Sequence, residues 1–200
     1  MGRVDLIRAK AGERALFLRS FIRDPRKVGA VLPTSRRAVR DMLDLAPIAS
    51  ARQVVELGAG TGVYTGELLE RLGPGAVLLA FEIDARMAAR LGERIRDARL
   101  EVVNDSAETL EAHLDGRSAD VIVSGLPFTS LPGGMRDAIL DAARRALAAD
   151  GTMLVLQYSP FIRGELERRF GSVRRRISPL NVPPAFLFAC TEPRRPGERR

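Results

Sequence analysis

The stretch that most restricts the fold is residues 53–62, QVVELGAGTG, where a short β-branched apolar run ends in an acid and then in glycines at alternate positions. Val54 and Val55 suit a buried strand and residues 63–72 read as a helix, so the glycines form a strand-to-helix turn. Gly58, Gly60 and Gly62 let backbone approach a ligand closely, and the amides of such a loop are expected to face it. The spacing Glu56-x-Gly58-x-Gly60-x-Gly62 differs from the Gly-x-Gly-x-x-Gly of dinucleotide binders, which makes a pyrophosphate clamp the weaker reading. A tight turn in any α/β domain could use the same glycines, so further signals have to agree.

Two further strands supply them. Residues 77–81 end in Glu82-Ile83, which puts a carboxylate at the tip of the next strand, where it can accept from both hydroxyls of a ribose. Residues 100–103 end in Asn104-Asp105-Ser106. This succession resembles motifs I to III of class I S-adenosylmethionine (SAM) methyltransferases. The resemblance implies SAM as cofactor and S-adenosylhomocysteine as product, with Glu82 on the ribose and Asp105 near the adenine amino group. The expected cofactor set is Glu56, Gly58, Ala59, Gly60, Gly62, Glu82, Ile83, Asp105, Ser106 and Ser124.

Beyond these, residues 120–124 form a fourth apolar run that enters Gly125-Leu126-Pro127-Phe128. A helix over 131–149 ends at Asp150-Gly151, a fifth strand covers 152–156, and Gln157-Tyr158-Ser159-Pro160 follows its tip. Residues 161–170 read as a helix, and strands fall near 172–177 and 185–190. Alternating strands and helices predict an α/β fold with a parallel sheet and helices on both faces. The class I resemblance makes it Rossmann-like and adds an antiparallel last strand.

Ahead of this core, apolar positions at 4, 7, 11, 15, 18 and 22 recur at helical spacing, with Arg3, Arg8, Lys10, Arg14, Arg19 and Arg23 around them. That layout predicts an N-terminal amphipathic helix on an anionic membrane surface, although docking onto the domain would give the same periodicity. The chain is expected to divide into residues 1–35 (helix and, as the family resemblance implies, a loop over the cofactor), 36–192 (the methyltransferase domain) and 193–200 (a disordered basic tail). Thr34 or Ser35 is positioned to cap a helix over 36–45.

The net charge of +7 comes from 32 basic residues, all arginine except Lys10 and Lys27, and it favours an anionic partner. Cys190 lies alone in an apolar run and reads as a reduced core residue. His113 has no ligand-spaced neighbours, so no metal is expected. No apolar run reaches the length of a membrane span, and residues 1–30 lack a signal peptide's apolar centre. The expected location is therefore cytoplasmic, with peripheral membrane attachment.

Methyl transfer from a sulfonium to an amine asks the protein mainly to position a neutral lone pair. Nucleic-acid amino-methyltransferases do so with Asn or Asp, Pro and an aromatic, but Ser124-Gly125-Leu126-Pro127-Phe128 has Gly at the polar position. A lipid amine becomes a methylated cation that aromatic faces can hold, a task suited to Phe128 and Tyr158. SGLPF, QYSP and NVPPA resemble the bacterial phospholipid N-methyltransferase family, which implies stepwise methylation of phosphatidylethanolamine towards phosphatidylcholine. The expected catalytic set is Ser124, Gly125, Leu126, Pro127, Phe128 and Tyr158. A ribosomal RNA adenine N6-methyltransferase is the alternative, with nucleic acid as partner.

Overall fold

A computed structural model of the protein describes residues 35–179 and 183–194. The N-terminal amphipathic helix, the loop up to Thr34, Asn181 and Val182 of NVPPA, and the end of the tail lie outside them. The strands are β1 (Gln53–Leu57), β2 (Val77–Phe81), β3 (Leu100–Val103), β4 (Ala119–Ser124), β5 (Leu147–Gln157), β6 (Phe170–Ser178) and β7 (Ala185–Pro193). The helices are α1 (Arg36–Leu43), α2 (Val63–Leu69), α3 (Ala85–Arg94), α4 (Gly133–Ala146) and α5 (Arg163–Arg169).

The strands form one sheet in the order β3-β2-β1-β4-β5-β7-β6, with β7 antiparallel to both neighbours and the first five parallel. The expected α/β, Rossmann-like architecture with an antiparallel last strand is therefore present. Parallel strands covered on both faces must be apolar on both, which is why the central strands read as unbroken runs rather than alternations. Val55, Leu79, Ile122 and Val155 pack against α4, whereas Val54, Leu78, Val121 and Leu154 pack against α1 and α2. Ser35 caps α1 by accepting from the Ala38 amide, and Asp84 caps α3 through the amides of Arg86 and Met87.

Strand order reverses between β1 and β4, and that switch point opens a crevice at the carboxyl ends of the strands. The tips are held level there. Gly58 and Ala59 donate to the Phe81 carbonyl, Glu82 donates to Val103, and Gly125 donates to Leu57, all at 2.9–3.2 Å.

Two boundaries differ from the sequence reading. α4 ends at Ala146, and the chain turns extended at Leu147, which pairs with Ala119 before Thr152 pairs with Val121. Gly151 serves this bulge rather than stopping a helix, because a Cβ there would meet the Ala119 carbonyl at 3.0 Å and the Leu147 side chain at 2.9 Å. Pro193, the first residue of the expected tail, lies instead in β7. β7 runs past Cys190 so that Thr191 pairs with Ser172 and Pro193 with Phe170. Backbone pairing of this kind outweighs the polar composition of the segment. Cys190 is fully buried in the core, and burial pushes its thiol up to about 12.

At the opposite end of the sheet, Asp120 fixes the register of β1 against β4, its Oδ2 accepting from the Arg52 and Gln53 amides at 2.7 and 3.0 Å. Asp120→Ala is expected to cost about 1–2 kcal/mol, seen as a lower urea midpoint at unchanged m-value.

Candidate active site

Glu56 is the penultimate residue of β1 and is 1% exposed. Its Oε2 accepts from Thr65 Oγ1 at 2.7 Å, while Oε1 has no hydrogen-bond partner among the described residues. Burial, opposed by the Thr65 bonds and helped by the nearby Glu82 charge, pushes its carboxyl up to about 7. A buried oxygen without a donor is costly, and it calls for a cationic or donor group from a ligand.

The glycine loop differs from expectation in one respect. Its amides do not face a ligand: Gly58 and Ala59 donate to Phe81, Gly62 donates to Ala59, and Gly60 donates to Glu82 Oε2 at 2.8 Å. The sequence establishes that glycines stand here, but cross-strand bonding decides where their N–H groups point. A loop whose amides are already used does not suit a pyrophosphate. What it offers is close approach. Gly58 has φ +80°, and a Cβ on it would lie 2.6 Å from the Leu126 side chain, closing the crevice.

Glu82 is 2% exposed, and its Oε1 accepts from the Asp84 amide at 2.8 Å. Each oxygen thus holds one backbone donor and keeps a lone pair for another. Asn104, which the sequence reading left without a role, donates from Nδ2 to the Glu82 carbonyl at 2.8 Å and ties β3's tip to β2's. Asp105 accepts from the Ser106 amide at 2.6 Å and pairs with His113 Nε2 at 3.0 Å. Burial raises the Asp105 carboxyl, but bonds from His113, Ser106 and Thr109 outweigh it and the net shift is downward. His113 is therefore not isolated, as its sequence neighbours suggest; its ring also meets Phe81 edge-on at 5.3 Å. Ser106 caps the short helix Ala107–His113. A cleft lined by Gly58, Glu82, Ile83, Asp105, Ala107 and Leu126 joins the tips of β1 to β4.

At the end of β4, the Ser124 side chain is fully buried and its Oγ accepts from the Leu126 amide at 3.3 Å. The Leu126 carbonyl accepts from Gln157 Nε2 at 2.7 Å, so β5 fastens this loop. Pro127 begins the short turn Phe128–Ser130. The expectation that the Phe128 ring meets substrate is not met: it is 0% exposed among Leu131, Met135 and the rest of the α4-side core. An apolar ring following a buried strand gains more by entering the core than by remaining at the mouth. Tyr158 does stand at the site end, half-buried just beyond β5 on the α1 side of the sheet. Tyr64, which the sequence reading did not place, packs on that same side. A Cβ at Gly125 would lie 3.2 Å from its ring. The signal was available, since Tyr64 stands on the first turn of the helix that leaves the glycine loop.

Comparison with known proteins sets this geometry in a family. Residues 54–151 match the methyltransferase domain family. The chain is 32% identical over 180 residues to an ornithine lipid N-methyltransferase of Singulisphaera acidiphila, covering 88% of this chain and 94% of that protein. This chain belongs to the class I SAM-dependent methyltransferases. It is also 28% identical over 183 residues to an rRNA adenine N-6-methyltransferase of Corynebacterium diphtheriae, covering 84% of this chain and 69% of that one. Among solved structures, the N-methyltransferase NodS of Bradyrhizobium japonicum in complex with S-adenosylhomocysteine superposes with TM-score 0.70 at 15% identity, covering 86% of this chain and 93% of NodS. Its cofactor is SAM, as the family requires.

Glu56 generates a pH prediction with two opposite parts. In the ligand-free protein its pKa of about 7 lies above the ordinary 4.5, so the folded state holds the extra proton between those values. The stability this contributes is complete below pH 4.5 and is lost as pH rises through 7, a change on the order of 3 kcal/mol. Glu56→Gln should abolish that dependence and melt higher than the unsubstituted protein at pH 8. A cationic ligand group favours the ionised carboxylate, so SAM affinity should fall by up to about tenfold per pH unit below 7. The Gln variant should lose both affinity and this slope. Thermal melts and calorimetric titrations between pH 5.5 and 8 check both parts.

Proposed function

We propose that this protein transfers methyl groups from SAM to the amine of a membrane-lipid headgroup, with phosphatidylethanolamine as the substrate carried stepwise towards phosphatidylcholine. The observation that carries the reading is the Tyr64 ring against Gly125. Base methyltransferases need a polar side chain at that position, and here even a Cβ would crowd an aromatic ring at 3.2 Å. Similarity to a lipid N-methyltransferase along nearly the whole of both chains supports the amine-lipid class. SGLPF, QYSP and NVPPA favour phosphatidylethanolamine within it.

SAM supplies a methyl carbon made electrophilic by its sulfonium. Glu56 offers its open oxygen to the cofactor's ammonium, Glu82 accepts the ribose hydroxyls with its remaining lone pairs, and Asp105 holds the adenine amino group. Gly58, Ala59, Gly60 and Gly62 let the backbone lie close beneath, Ile83 and Leu126 line the cleft, and Ser106 holds Asp105 through its amide. Ser124 and Gln157 hold the Gly125-Leu126 turn in place, so an amine docked there is aligned without a side-chain amide. Tyr158 presents an aromatic face to a headgroup that gains permanent positive charge as methylation proceeds. Phe128 contributes indirectly, filling the core behind Pro127 and keeping water from the turn.

Among the described residues no helix is long and apolar enough to cross a membrane. We infer peripheral attachment, with residues 4–23 lying on an anionic surface.

Similarity to an rRNA adenine N-6-methyltransferase favours nucleic acid as the second reading, and one experiment separates the two. Labelled SAM is incubated separately with vesicles containing phosphatidylethanolamine, vesicles containing ornithine lipid, and total RNA. Label should enter phosphatidylethanolamine and yield methylated products by thin-layer chromatography. Label in ornithine lipid alone would keep the class and replace the substrate. Label in RNA with none in either lipid would overturn the proposal.

A further inference from the structure

Two large apolar side chains stand out in water among the described residues: Phe161 at 86% exposure and Ile177 at 44%. Both fall at one end of the molecule, and it is the end that holds the active site. Phe161 occupies the turn Pro160–Ile162 that follows β5, and this turn packs against the turn Phe128–Ser130 beside Gly125. Ile177 pairs across the sheet with Phe186, which pairs in turn with Gln157, the residue before Tyr158. The three share one rung at the carboxyl end of the parallel strands.

β6 is the outer edge of the sheet, and the three residues before Ile177 are Arg174, Arg175 and Arg176, all exposed. Arg175 lies over the Phe186 ring with its guanidinium carbon 5.9 Å from the centroid. No carboxylate of the described residues forms an ion pair with these arginines. Others on the domain are neutralised, Arg169 by Asp137, Asp141 and Glu165, and Arg71 by Asp44 and Glu67. Cations on an edge strand also resist edge-to-edge aggregation. That role does not account for two apolar side chains projecting into water beside them. Apolar tips flanked by cations, at the mouth of a site that takes an amphipathic substrate, have the chemistry of an interfacial anchor.

We propose that this rim docks the domain on an anionic bilayer, independently of residues 4–23. Phe161 and Ile177 enter the boundary between headgroups and acyl chains, while Arg174 and Arg176 lie against lipid phosphates. The crevice beside Gly125 and Tyr158 then opens onto the headgroup layer, so a lipid need not leave the membrane to be methylated. The inference rests on the amine-lipid reading for its purpose but not for its test.

The chain contains no tryptophan, so a single introduced indole reports on one place. Phe161→Trp in the full chain is mixed with vesicles of phosphatidylethanolamine and phosphatidylglycerol in equal parts. Its emission should shift to the blue and be quenched by brominated acyl chains. Gly75→Trp, at the opposite end of the sheet before β2, should show neither change. In the double variant Arg174→Ala/Arg176→Ala, vesicle affinity by co-sedimentation should fall roughly tenfold to thirtyfold, and the loss should shrink at high salt. Circular dichroism and melting temperature establish that each variant is folded.

An indole at position 161 that keeps its water-exposed emission while the protein sediments with vesicles would overturn the rim. So would a full chain that fails to sediment, or arginine replacements that weaken RNA binding and leave vesicle binding unchanged. Methyl transfer followed on the same vesicles separates the two proposals. Indole insertion without label in lipid keeps the docking surface and removes the substrate reading, whereas label in lipid with the indole in water does the reverse.

Discussion

The structure depends most on the Glu82 carboxylate. Its two oxygens hold the Gly60 and Asp84 amides at 2.8 Å each, so one buried charge joins the loop after β1 to the start of α3. Asn104 extends the join by donating to the Glu82 carbonyl, which brings β3's tip into the same assembly. Breaking such a group leaves buried donors unsatisfied, so the loop and the start of α3 stand or fall together. The charge has a second effect. It lies close enough to Glu56 to help burial raise that carboxyl to about 7.

The fold was largely legible in the chain because each of its signals is local. Val54 and Val55 demand cover on both faces, the glycines can only form a tight turn, and an acid ends each of the first two strands. The topology then follows from alternation and handedness. Less legible was everything set by contacts between distant segments. The loop amides turn away from the crevice because β2's last carbonyl takes those of Gly58 and Ala59 and the Glu82 carboxylate takes that of Gly60. Gly151 looks like a helix stop until β4's Ala119 carbonyl is placed beside it. Phe128 looks like a substrate ring because it follows a strand tip, yet the core formed by Leu131 and Met135 claims it. His113 finds Asp105 eight residues back only because the turn between them folds the chain on itself.

The chemistry of the acceptor pocket follows from the same kind of non-local contact. Gly125 taken alone is a missing polar residue. Beside Tyr64 it becomes a positive feature, since glycine is what permits the ring to pack there. Substrate choice in such a site is made by which groups are left unpaired when the wrong ligand enters. A planar base would find an aromatic wall and no side-chain amide. A flexible headgroup asks for less, and the exposed rim at Phe161 and Ile177 lies on the same end of the sheet as the pocket it would serve.

The most direct measurement is calorimetric titration of S-adenosylhomocysteine and its analogue lacking both ribose hydroxyls, against the unsubstituted protein and Glu82→Ala. If Glu82 uses its remaining lone pairs on the ribose, the unsubstituted protein binds the analogue about tenfold to a hundredfold more weakly, and the variant does not distinguish the two ligands. Equal affinity of the unsubstituted protein for both ligands would contradict the account.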